Sequence, residues 1–148
     1  MNYEIVDTMY KIPHYSYQNE MWREKINYDR YELINVNESE IPYIMEILNS
    51  QISETRNATS NIIKNLCNYS VQIARIYDRK EKAKKIYLNF ECGFVDFKAI
   101  NESEEYWIGF DGKETKFSHP LDGGDCHFQA EINTKTNKLS IIIVNGEA

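Results

Sequence analysis

Proline and glycine are scarce in this 148-residue chain, three and six respectively, and that scarcity excludes collagen-like, mucin-like and low-complexity architectures. Long apolar runs are missing too. The longest is Ile141 to Val144, against the roughly 20 residues that a membrane-spanning helix needs. The opening MNYEIVDTMYKIPHY has early acids, no apolar stretch of seven and no small-residue cleavage site, so the chain is read as cytoplasmic with no membrane partner. Cysteine is limited to Cys67, Cys92 and Cys126, an odd number without a Cys-x-x-Cys spacing. This argues against a disulfide framework, a zinc knuckle or a thioredoxin-like site, and for reduced, buried thiols. No Gly-rich phosphate loop is present either, since neither a Lys nor a helix opening follows Gly123-Gly124. No cofactor is expected.

What is present fits one globular domain, with 42% hydrophobic and 27% charged residues. A chain this long buries roughly 70% of the surface that its unfolded form exposes, enough for a core without staples. The 19 Ile, 15 Asn and 11 Tyr against 6 Ala and 5 Arg form the skew of an AT-rich coding sequence, so Asn and Tyr abundance carries little functional weight. The formal charge of -6 and pI near 5.1 favour a basic partner and oppose a polyanion.

From Ile41 an apolar stripe runs through Met45, Leu48, Ile52, Thr55, Thr59, Ile62, Leu66, Tyr69, Ile73 and Ile76 in steps of three and four, the period of one helical face. Glu38 to Glu40 place a cap and acids at its start, and Pro42 falls in the first turn, where its missing N–H is harmless. The polar stretch SETRNATSN leaves two readings, one long helix or a pair broken near Asn57 with Thr59 or Ser60 as second cap. The pair is preferred. The basic run RIYDRKEKAKK, Arg75 to Lys85, then lies late in the helical region, where cations complement the dipole; with two acids inside it, it is not read as a nucleic-acid site.

After Lys85 the period becomes two: Ile86, Leu88, Phe90 and Cys92 face one way, Tyr87, Asn89 and Glu91 the other. Tyr106, Ile108 and Phe110 repeat the pattern before an Asp111-Gly112 turn. Cys126, Phe128, Ala130 and Ile132 repeat it against His127, Gln129 and Glu131, and Asn133 to Asn137 close a hairpin onto Leu139 to Val144. Asn2 to Val6 and Tyr31 to Val36 supply candidate edge strands. Helices grouped before strands predict a single α+β domain in which a helical layer over 38–85 packs on an antiparallel sheet over 86–148, cystatin-like or related. If the far face of that sheet is wet, Tyr87, Glu91, His127, Gln129 and Glu131 line a polar-aromatic surface.

Chemistry-bearing residues crowd between His119 and His127, with Asp122, Asp125 and Cys126. His127 and Cys126, as strand neighbours, point to opposite faces and cannot share a metal, while Asp122-Gly123-Gly124-Asp125 reads as a tight turn. Neither a metal site nor catalysis is therefore expected. Residues 8–31 differ, being rich in aromatics with polar tips and poor in aliphatics. Tyr15, Tyr17, Trp22 and Tyr28, with Glu20 and Glu24, are candidates for contact with a basic partner, because Tyr and Trp bury rigid area while keeping a hydrogen-bonding group.

The carboxy-terminal DGGDCHFQAEINTKTNKLSIIIVNGEA, preceded by KKIYLNFECGF, resembles a group of small uncharacterised bacterial proteins. Their shared pattern of DGG, aromatic strand, Asn-x-x-Thr turn and Asn-Gly-x-Ala falls here on Asp122, Gly123, Gly124, Phe128, Asn133, Thr136, Asn145, Gly146 and Ala148, with Phe90 and Cys92 in the earlier strand. Such proteins often accompany toxins as immunity proteins. The resemblance implies a non-enzymatic module that binds a basic protein such as a toxin domain. The other expectation is a small-ligand-binding or hydrolytic domain using a cleft on the sheet, with His127, Glu131 and Glu91 as polar lining.

Overall fold

In a computed structural model, residues 1–7, 30–103, 107–108, 114–115 and 124–144 are described. The expected α+β architecture is there: the helices within residues 41–65 lie on one face of a six-stranded, mostly antiparallel sheet. Strand β1 is Asn2–Ile5 and β2 is Tyr31–Ile34. A 3-10 turn at Glu38–Glu40 leads into α1, Ile41–Gln51, and another at Ile52–Glu54 ends it. Helix α2, Ser60–Asn65, is separate, with Thr59 Oγ1 accepting from the Ile62 N–H as its cap. The preferred helix pair and one of its two expected caps are thus present.

The helical layer is shorter than the sequence predicts. It ends at a 3-10 turn, Leu66–Asn68, and the chain continues as β3, Tyr69–Asp78, which turns into β4, Ala83–Cys92. Residues 69–85, expected to be helical, form a hairpin. The cause is that Tyr69 and Ile73, four apart, fit the helical spacing and, with Val71 between them, a period of two as well, and Val71, Ile73, Ile76 and Tyr77 are residue types that favour strands. Ile76 consequently faces away from Val71 and Ile73 and packs with Val6, Tyr31, Ala74 and Tyr87.

Helix α3 is Phe97–Glu102, and β5, Trp107–Ile108, pairs with β6, Glu114–Thr115, in a two-stranded ribbon separate from the main sheet. Strand β7, His127–Asn133, and β8, Lys138–Val144, form the expected carboxy-terminal hairpin. Asn133 Oδ1 accepts from the backbone N–H groups of Lys135 and Thr136, and Asn137 adopts φ +56°, closing the turn. The sheet order is β1-β3-β4-β7-β8. One edge of β3 is divided between two short strands, β1 parallel along Ser70–Ile73 and β2 antiparallel along Arg75–Asp78. At the other edge the Gln51 amide acts as a fragment of an extra strand, its Nε2 donating to Asn137 O at 2.7 Å and its Oε1 accepting from Leu139 N at 2.9 Å. Both groups would otherwise face outward unpaired.

Ile41, Ile44, Ile47, Leu48, Ile52, Ile62 and Leu66 pack from the helices onto Val71, Ile73, Ile86, Leu88, Phe90, Phe128, Ala130, Ile132, Leu139 and Ile141. Each large aliphatic or aromatic side chain so removed from water contributes about 2 kcal/mol. Phe90 and Phe128 stack at 4.2 Å between centroids, and Tyr69 meets both edge-on at 6.2 and 5.2 Å.

The cysteine expectation is overturned. Cys92 and Cys126 are joined by a disulfide, with Cα atoms 4.7 Å apart. Glu91 and His127 are register partners, so one step further along the antiparallel ladder brings the two cysteines opposite each other. Their separation of 34 residues hides this in the sequence. Cys67 is not a core residue but exposed on the 3-10 turn before β3. Such bonds persist in oxidising surroundings.

Candidate functional site

The sheet's second face, whose polar surface is conditional on its being wet, is partly covered. Tyr87 is 3% exposed and Gln129 2%, so neither offers a surface to a partner. Ser70, Asp78 and Ala74 on this face are buried as well. Part of the cover is the segment after β4: Val95 N donates to Ser70 Oγ, Asn2 Nδ2 donates to Val95 O and Ser70 Oγ, and Ser70 Oγ donates to Gly93 O.

Across this face runs a row of polar side chains, one from each of four neighbouring strands. Gln72 Nε2 donates to Glu4 Oε1 at 3.1 Å, Asn89 Nδ2 to Gln72 Oε1 at 2.9 Å, and Gln129 Nε2 to Asn89 Oδ1 at 3.0 Å. Asn101 Nδ2 adds a bond to Glu4 Oε2. A carboxylate only accepts, so Glu4 fixes the orientation of every amide after it. The row therefore ends on an acceptor, Gln129 Oε1, which is buried without a hydrogen-bond partner among the described residues. Sequence reading missed the row because Glu4, Gln72, Asn89 and Gln129 are scattered over 125 positions; strand register alone aligns them.

Gln129 is flanked on β7 by two of the expected site residues. His127 pairs with Glu91, and burial lowers its pKa against the opposing pull of the Glu91 carboxylate. Glu131 pairs with Tyr87, and burial raises its pKa despite Lys85 Nζ at 3.7 Å. Lys85 is also disfavoured by burial, yet its 2.7 Å contact to Glu81 and the nearby carboxylates raise its pKa overall. The two directions agree once geometry is considered: Glu81 holds the ammonium closely, leaving Glu131 a longer contact and two like charges, Glu81 and Asp78. At the β2 end, Asp78 accepts from Arg30 Nε and Nη2, both at 2.8 Å, and from the N–H groups of Lys80 and Glu81. Burial opposes its ionisation, but these donors lower its pKa.

An open cleft of about 360 Å³ lies where β1 meets the segment leading into α3, lined by Asn2, Tyr3, Glu4, Phe94, Val95, Asp96, Phe97 and Lys98. Phe94 on its wall is 80% exposed. Tyr3 OH donates to Glu38, and that bond and burial raise the phenol's pKa. Glu4 both heads the amide row and lines the cleft. The structure thus brings Tyr87, Glu91, His127 and Glu131 to one face but puts none of them in the cleft. Tyr15, Tyr17, Glu20, Trp22, Glu24 and Tyr28 lie outside the described residues, as do Asp122 and His119. Among the described residues no three His, Cys, Asp or Glu side chains group to hold a metal ion. No helix there is long and apolar enough to cross a membrane. Compared with known proteins, the chain matches no family model, no curated protein and no solved structure.

Proposed function

We propose that the chain is a non-enzymatic binding module for a basic protein, and that this partner is a toxin that it neutralises as an immunity protein. The observation that carries the reading is the cleft beside Phe94. An aromatic ring this exposed, in a cleft also lined by Tyr3, Phe97, the acids Glu4 and Asp96 and a single base, Lys98, suits a partner's Arg or Lys, whose cation stacks on the ring while the acids supply charge. The overall charge of -6 would steer such a partner inward at low salt. A cleft of this volume also falls in the small-molecule range, which is the one observation favouring a ligand-binding reading. Its lining lacks the His127, Glu91 and Glu131 that reading was built on.

A photo-cross-linking residue placed at position 94 and irradiated in the native host tests the proposal. The expected product is one basic protein, whose expression arrests growth unless this chain is co-expressed. Phe94→Ala should weaken the purified pair at least tenfold and abolish protection, with the fold intact. A cross-link to no protein, or full protection by Phe94→Ala, overturns the reading.

A further inference from the structure

The β3–β4 and β7–β8 turns lie side by side at one end of the sheet. Lys85 and Asn133 are register partners, and Thr134 Oγ1 donates to Lys84 O at 2.8 Å. Lys80 and Lys82 are exposed on one turn and Lys84 at the start of β4 beside it, Lys135 on the other turn and Lys138 at the start of β8. Every acid described at this end is already held: Asp78 by Arg30, Glu81 by Lys85, Glu32 by Arg79 at 3.2 Å, and Glu131 by Lys85. Among the described residues none of the five lysines has an ion-pair partner. The dipole explanation for the Arg75–Lys85 run does not apply, because the run is a hairpin and not a helix end.

We infer that this end of the sheet is a docking surface for the phosphate backbone of a nucleic acid, independent of the cleft at β1. Four strands wide, it spans about 14 Å at ~4.8 Å per step. Lysine supplies the point charges that such contacts use. The ring of Tyr43, exposed and hydrogen-bonded through its OH to Asn137 of the β7–β8 turn, offers a base a stacking surface. No exposed aliphatic side chain is described at these turns to enter a lipid layer. The chain's net negative charge opposes binding, but charges more than about 10 Å away are largely screened at 0.1 M salt.

The test is fluorescence anisotropy of a labelled 20-nucleotide single-stranded DNA with the full chain. Five contacts predict a log–log salt slope of about -3.5, so that affinity falls about a hundredfold between 50 and 200 mM salt. Lys82→Gln with Lys84→Gln and Lys135→Gln should cut the slope by about 2 while thermal melting stays unchanged. Three outcomes overturn the inference. They are no binding at 50 mM salt, an unchanged slope in the triple variant, and equal binding of a 20-residue polyglutamate or of phosphatidylserine vesicles. A failed cross-link at position 94 leaves these measurements unaffected, so the two proposals fall separately.

Discussion

The two faces of the main sheet, one fully buried and one partly, are held by different physics. On the helix face Ile44, Leu48, Ile62, Leu88, Phe90 and Phe128 lose nearly all contact with water, and apolar transfer supplies the stability. On the other face Ser70, Asp78 and Gln129 are buried and Gln72, Lys85, Asn89 and Glu131 half-buried, and the loss of water is tolerable because each finds partners. The first face tolerates swaps that conserve shape and punishes voids. The second tolerates little change of chemistry, since removing one partner strands another in a medium where an unmade hydrogen bond costs more than a made one gains.

Phe90→Ala probes the first face and should have the largest effect, about 4 kcal/mol, because the ring is fully buried and its loss leaves a void between Phe128 and Tyr69. Urea denaturation measures it as a lower midpoint at unchanged slope. A cost below 1 kcal/mol would mean that the helix face collapses freely around the gap, and the contrast between the faces would fail.

Asp78→Asn probes the second face and should cost about 3 kcal/mol, because it replaces the buried carboxylate that accepts two short bonds from the Arg30 guanidinium with a neutral amide. The effect carries a pH signature. Arg30 and two backbone N–H groups hold the folded Asp78 pKa below its ordinary 3.8, so the stabilisation is fully present above that value and is lost as pH falls through the folded pKa. Wild type should therefore converge on Asp78→Asn in the acid below about pH 4. Equal pH profiles from pH 7 to 3 would show that the pair adds no charge-dependent stability.

How much of this was legible follows from the kind of signal each element leaves. Helix α1 announces itself through its apolar spacing and Pro42, β7 through clean alternation, and β8 through the Asn133 to Asn137 turn that leads into its apolar run. The helix-to-strand change at Tyr69 was hidden because the two periods share residues over a short stretch. The Cys92–Cys126 bond, the amide row and the lysine end depend on which strands neighbour each other and in what register. Pairing of residues tens of positions apart is decided by tertiary packing, so no local window contains it. Alternation located His127 and Glu131 on a common face but could not say that the face is covered.

Gln129→Leu should have the smallest effect and is the sharpest probe of the second face. The substitution removes one hydrogen bond to Asn89, about 1 kcal/mol, and also removes a buried carbonyl whose missing partner costs about 1–3 kcal/mol. The two changes oppose each other, so stability should move by less than about 1 kcal/mol in either direction. Asn89→Leu, one strand away, strands both Gln72 Oε1 and Gln129 Nε2 and should cost about 2 kcal/mol. Urea titration of both variants and their double mutant separates the cases. If Gln129→Leu costs as much as Asn89→Leu, Gln129 Oε1 has a donor in solution, and the amide row ends on a bound water or ligand instead of an unmet acceptor.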